Sequence, residues 1–378
     1  MDWLLSLFSH WQAVLAIVLV LGGLIFFHEL GHFSVARLFD IGVRTFSLGF
    51  GPRLWGVRRG KTEYRLSLVP LGGYVALVGE TPDTESEETL KEDARNNVSF
   101  TEEESFARHP AWQRLLVVLA GPLANLLLAF LIYFGVAAVV GHSFITPEVG
   151  GVEAGSPAEK AGLQKGDILV RVDGQPVQEW GQIGKIIEAG GGKAVSVIFE
   201  RRDGDGKLVI LKEITPEAGT RTNVFGEKKP AWLIGISASG RMDARKLGLL
   251  DAVAEGWSQT WRLISLTIQS FVKLFQRAVP LDQVGGPILI AQMVGEQASH
   301  GLISVLSLAA FISINLGILN LLPVPVLDGG TSVFLLLEMA MRRPLPEKVR
   351  DIAMRVGLGL LLGLMIFATW NDIVRLFS

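Results

Sequence analysis

His28-Glu29-Leu30-Gly31-His32 sets two imidazoles four residues apart, with a carboxylate beside the first. On a helix, positions i and i+4 share a face, so both rings can reach one metal ion. Glu29 then stands where it can take a proton from an activated water. Three fixed positions in five are a modest signal alone, and the competing reading is a polar helix end capped by histidines. The setting decides between them. The motif continues an apolar run, and ionisable side chains at membrane depth are costly and usually functional. A catalytic zinc site has three protein ligands and an open position, so one donor is still needed. The chain holds six histidines and no cysteine. His10 and His142 are expected on the opposite membrane face, while His109 and His300 flank apolar spans at loop ends. The best-placed donor is Asp328, in Asn320-Leu321-Leu322-Pro323-Val324-Pro325-Val326-Leu327-Asp328-Gly329-Gly330. Pro323 and Pro325 break a helix, which is tolerated at membrane depth only where a cavity or protein satisfies the freed groups. Gly329 and Gly330 permit close backbone approach. A helix N-cap after a proline turn is the competing role for Asp328, and the two histidines favour the metal role.

These residues must be positioned by membrane helices. The chain is 49% hydrophobic and 19% charged, below the roughly 25% charge usual in soluble domains. Four stretches reach the ~20 apolar residues that cross a bilayer: about 11–33, 112–140, 302–322 and 352–370. Residues 332–341 are apolar but too short and are expected to form a half-helix. No Lys or Arg precedes the first run, which argues against a cleaved signal peptide. A net charge of −2 gives no sign of a nucleic-acid partner. Basic residues follow the first span (Arg37, Arg44, Arg53, Arg58) and separate the third from the fourth (Arg342, Arg343, Lys348, Arg350). Both loops therefore read as cytoplasmic, with the two termini and the long 141–301 segment outside.

Between the spans, residues 44–78 alternate like strands and carry turn glycines, whereas 80–104 is acidic, polar and expected to be a flexible loop. Leu250, Val253, Trp257, Trp261, Ile264 and Ile268 recur at spacings of three and four, which predicts a long helix lying in the membrane interface. Residues 146–216 carry Ser156-Pro157-Ala158, then Ala161-Gly162-Leu163, Gly166-Asp167 and an Asp173-Gly174 turn. That series resembles a PDZ domain of the bacterial protease-associated kind, a module that binds extended peptide by strand addition.

The His-Glu-x-x-His in the first span, the Asn-x-x-Pro-x-Pro-x-Leu-Asp-Gly after the third and the PDZ-like insert together resemble the site-2 protease family of intramembrane metalloproteases. The regulator-of-sigma-E protease branch is the nearer match. Gly49-Phe50-Gly51-Pro52, Pro70-Leu71-Gly72-Gly73-Tyr74, Ala120-Gly121-Pro122-Leu123-Ala124-Asn125 and Gly285-Gly286-Pro287-Ile288 support it. The resemblance runs along nearly the whole chain. It implies Zn2+ held by His28, His32 and Asp328, with Glu29 as general base. It implies that Asn320 contacts substrate near the scissile bond, with Asn315 as the weaker candidate. It also implies that the region around Gly49, Phe50 and Gly51 is a membrane-associated β-hairpin that pairs with an extended substrate. Substrates would be single-span membrane proteins, such as anti-sigma factors, already cut on the outer side. Two departures from the family pattern stand out: a single PDZ domain where two are known, and Thr331 where histidine is common.

The expected fold is thus a polytopic α-helical membrane protein of about four spans, with a membrane-associated β-region and an inserted α+β PDZ domain. Its segments are 1–36 (first span), 37–110 (β-region and acidic loop), 111–141 (second span), 145–218 (PDZ), 219–280 (linker and interfacial helix) and 281–378 (last two spans). The expected location is the bacterial inner membrane, with the termini and PDZ domain outside and the active site toward the cytoplasm. A membrane-anchored scaffold with a dead centre is the main rival, and a scaffold has no need for buried ionisable groups. An anchored protease with a cytoplasmic site would want an amphipathic motif helix. A zinc transporter would want further acids or histidines along spans two and four, which carry none.

Overall fold

The computed structural model describes all residues except 1, 81–94, 96, 205, 224, 277–284 and 378, and no side chains at 2–13, 70, 71 or 275. Most of the expected acidic loop therefore lies outside the described residues. The chain divides into two compact units, one of residues 1–136, 256–272 and 280–378, the other of residues 137–255 and 273–279.

In the first unit, apolar sequence and helical length go together, because a helix satisfies its own backbone where no water can. Among the described residues, four helices are long and apolar enough to span: Val14–Leu38 within α1 (Asp2–Leu38), α2 (Ala111–Val140), α7 (Leu302–Asn320) and α9 (Glu347–Phe377). Between them stand α5 (Leu249–Phe275), α6 (Pro287–Ser299) and α8 (Asp328–Met341). The expected half-helix is α8, extended back to Asp328. Helix α6 is an addition to the sequence reading. Its Val294 is buried with Val20 and Leu24 of α1 and Leu308 and Ala309 of α7. The first turn of α6 is capped from a distance: Asp372 of α9, 3% exposed, accepts from the main-chain N–H groups of Gly286, Ile288 and Leu289 at 2.9–3.0 Å. Three orphan donors of a helix start are satisfied in this way.

The expected β-hairpin is more elaborate. Strands β1 (Val43–Arg59) and β2 (Thr62–Leu77) are antiparallel, but Phe46 pairs with both Val75 and Tyr64, and Arg65 pairs with both Ser47 and Gly56. Each strand thus bends into two segments, and the order across the sheet is 73–77, 43–48, 63–66, 55–59. The bend in β1 falls at Gly49 and Gly51, with φ of +96° and +84°, a region that glycine enters without penalty. Glu63 is buried in this sheet, which would raise its pKa. Ion pairs with Arg65, Arg53 and Arg58 outweigh that burial and hold its carboxyl below the usual 4.5. The end of the acidic segment is packed: Phe106 is buried with Ile41, Val43 and Leu77, and Lys61 pairs with Glu104 at 2.7 Å.

The second unit is an α+β domain. Strands β5 (Ile168–Val172), β6 (Gln175–Pro176), β7 (Val195–Asp203) and β8 (Gly206–Ile214) form a sheet in the order β6-β5-β7-β8. Asp173 and Gly174 turn between β5 and β6 with φ of +47° and +72°, as a two-residue hairpin requires. Ser156 caps the short α3 (Pro157–Lys160), and α4 (Trp180–Ala189) buries Ile183, Ile186 and Ile187. Strands β9 (Glu217–Thr222) and β10 (Lys228–Leu233) form a hairpin. β11 (Ile236–Ala238) then returns to pair with β4 (Val149–Val152), while β12 (Met242–Arg245) pairs with β3 (His142–Ile145). The boundary expected at 218 is therefore too early. Ile234 belongs to the same buried core as Val149, Leu169 and Phe199, so the segment placed in a linker is part of the domain.

Candidate active site

Helix α1 carries His28 and His32 on one face, their ring centroids 4.8 Å apart. Glycine lets α2 come close to that face. A Cβ on Gly31 would meet the Ala120 carbonyl oxygen at 2.3 Å, and one on Gly121 would meet His32 Nε2 at 2.3 Å. The third group arrives from the far end of the chain. Helix α7 stops at Asn320, and Leu322, Val324 and Leu327 each close a short main-chain turn through the proline segment. Gly329 and Gly330 then lie so near the carbonyls of Leu321, Leu322 and Val324 that a Cβ on either would sit 2.2–2.3 Å from them. This tight reversal aims Asp328, the first residue of α8, at the histidines.

The result is a triangle of heteroatoms. His28 Nε2 is 3.2 Å from His32 Nε2 and 3.2 Å from Asp328 Oδ2, and His32 Nε2 is 3.6 Å from the same oxygen. Tetrahedral zinc at ~2.0–2.1 Å from each ligand would separate them by about 3.3 Å. The triangle therefore has the size, and the two-imidazole, one-carboxylate donor set has the chemistry, of a zinc site with one position open. Among the described residues this is the only such grouping of His, Asp and Glu. His32 Nδ1 donates to the Val117 carbonyl at 2.8 Å, which leaves its Nε2 lone pair directed inward. His28 is 8% exposed.

These groups line a cavity of about 210 Å3 together with Glu29, Tyr74, Val75, Glu80 and Thr331. Glu29 lies against the main chain of Val75. Segment 73–77 supplies Tyr74, Val75 and Leu77 to the wall, and its outer edge has no strand partner among the described residues. Asn320 Nδ2 is 3.4 Å from His28 Nε2. Asn315 is not brought to the cluster: it lies five residues back, about 140° around the helix, where its amide donates to the Phe311 carbonyl at 2.8 Å. Gly49, Phe50 and Gly51 do not line the cavity, although the Phe50 ring stacks on Tyr74 at 6.3 Å. Two of the other described histidines are engaged elsewhere. His142 pairs with Glu179 and Glu255 at 3.0 and 3.1 Å, and His109 with Gln113 at 2.9 Å.

Two residues at the site were not singled out for it by sequence reasoning. Glu80 carried no local signal. Asn125 did: a polar amide in the middle of an apolar span is unusual, and its Nδ2 lies 3.2 Å from His28 Nδ1.

Comparison with known proteins agrees with this geometry. The model of Peptidase family M50 matches residues 16–364. A Rhizobium meliloti protein provisionally named a zinc metalloprotease is 37% identical over 364 residues, covering 94% of each chain. An Agrobacterium fabrum protein of similar name is 37% identical over 369 residues and 96% of each chain. The regulator of sigma-W protease of Bacillus subtilis is 29% identical over 431 residues, covering 97% of this chain and 99% of its own.

Proposed function

The chain belongs to Peptidase family M50 and is a membrane zinc metalloprotease, and from that premise we propose that it cuts single-span membrane proteins within their transmembrane segments, in regulated intramembrane proteolysis. The observation that carries this reading is the convergence of His28, His32 and Asp328 on one point at the ends of apolar helices. In it, His28, His32 and Asp328 are the ligands and Glu29 is the general base.

Zinc, when bound, supplies the Lewis acidity that activates water and polarises a peptide carbonyl. Glu29 accepts a proton from the attacking water and returns it to the leaving amine nitrogen. Asn320, whose amide N–H groups face the same point, donates to the oxyanion as it develops. A transmembrane helix hides its amides in internal hydrogen bonds and must unwind before attack. The edge of 73–77, which has no strand partner among the described residues and also walls the cavity, supports a grip by strand addition that compensates the freed groups at about 0.5–1.5 kcal/mol each.

The domain of the second unit is read as a PDZ module that restricts which substrates enter. A groove of about 360 Å3 between α4 and β11, walled by Trp180, Ile183, Ile187 and Ile236, supports peptide binding there. The basic residues after the first span and between the last two support an active site toward the cytoplasm and termini outside it. The name of the B. subtilis relative, a regulator of sigma-W protease, supports a substrate tied to sigma-factor control, and the proposed substrates are anti-sigma factors trimmed beforehand on the outer side.

The test compares purified wild type with Glu29→Gln on candidate single-span substrates, with product masses locating the cut. The variant is expected to keep its zinc and lose at least ~10²–10⁴-fold in cleavage. Cleavage at the wild-type rate by zinc-loaded Glu29→Gln, or cuts only in exposed loops, would reject the reading.

A further inference from the structure

The two histidines are held differently at their outer nitrogens. His32 Nδ1 faces a main-chain carbonyl, an acceptor that keeps its proton on Nδ1. His28 Nδ1 faces the carboxamide of Asn125. Asn125 is 0% exposed, and its Oδ1 is a buried acceptor with no donor among the described residues. Such a group costs about 1–3 kcal/mol unless something satisfies it. Its backbone is fixed independently, since Ser313 Oγ on α7 donates to the Asn125 carbonyl at 2.8 Å. The side chain is thus left with rotation of its amide as its main freedom.

We infer that Asn125 is a positioning residue that holds His28 in its metal-binding tautomer by accepting the Nδ1 proton on Oδ1. An imidazole that ligates through Nε2 carries its proton on Nδ1 and needs an acceptor there. A half-turn of the carboxamide exchanges its two ends and presents Oδ1 to that proton with no movement of the backbone. His28 and His32 then have matched supports, a side-chain oxygen for one and a main-chain oxygen for the other. The inference rests on the ligand assignment made above and goes beyond it, because Asn125 touches neither metal nor substrate.

The experiment measures zinc affinity of the full-length, detergent-solubilised protein by competition with a chromophoric chelator, and unfolding midpoints after zinc is stripped. Asn125→Leu removes the acceptor at similar volume and is expected to weaken zinc binding about 10–100-fold. Asn125→Asp keeps an acceptor and is expected to stay within a few-fold of wild type. Should Asn125→Leu not fold, the smaller Asn125→Ala takes its place. Loss of zinc in His28→Ala together with wild-type affinity in the Leu or Ala variant overturns this inference alone. So does an Asp variant as weak as the Leu variant, with midpoints lowered in step, because that pattern marks a packing role. Wild-type zinc affinity in His28→Ala overturns the ligand assignment and this inference with it.

Discussion

The centres of the two units are filled by different kinds of residue. In the unit built around residues 137–255, the buried middle is aliphatic and aromatic, with Val149, Leu169, Val172, Val197 and Phe199 all at 0% exposure. In the unit of the membrane helices, Gly31 and Gly121 let neighbouring groups within 2.3 Å of where a Cβ would stand, and Asn125 and Ser313 are fully buried. A domain in water is assembled by removing apolar surface from solvent. Helices in lipid gain nothing from that exchange, so close backbone approach and polar contacts decide which faces meet. The lesson is that a methyl group added at Gly31 or Gly121 would part helices that little else draws together, whereas at an open helical position such as Gly181 it meets nothing within 4 Å.

That contrast can be tested by substitution. The largest effect is expected from Gly121→Ala, whose Cβ would lie 2.3 Å from His32 Nε2 and 2.9 Å from His28 Cε1. Displacing an imidazole proposed as a zinc ligand by that much should cost about 100-fold or more in cleavage, with metal analysis of the purified protein showing zinc lost in parallel. Full zinc occupancy and activity in this variant would mean that the helices have slack the contrast denies them. Next is Phe199→Ala, which empties the centre of the other unit and should remove about 3–5 kcal/mol of its stability. Hydrogen exchange would register this in β5, β7 and β8, while zinc content stays at the wild-type level. Smallest, and of opposite sign, is Gly181→Ala in α4, where a Cβ meets nothing within 4 Å. It should stabilise that domain by about 0.4–1 kcal/mol, measured by the same exchange; a destabilisation would show the site less open than its surroundings imply.

What was legible in the sequence follows the same division. The spans could be read because apolar length is a local property, although the last, expected at 352–370, lies in a helix that runs from Glu347 to Phe377. His28, His32 and Asp328 stood out because charge in an apolar setting has few innocent explanations. Pairings between distant segments were not legible. Nothing local shows that 45–48 pairs on both sides, with 63–66 and 73–77, or that Ile236–Ala238 returns to Val149–Val152 and carries the domain past 218. Helix α6 was missed because thirteen residues between two longer apolar runs fall below the length that signals a span. Asn315 and Asn320 sit on one helix, and only the neighbours reveal which of them faces the histidines.

The cap on α6 has a practical corollary. Asp372 lies in the last two turns of α9, yet it is the acceptor on which the start of α6 depends. Shortening the protein ahead of that aspartate would therefore loosen a segment packed beside the first span, nearly ninety positions upstream of the cut. Reporter or purification fusions should leave the final turns of α9 in place.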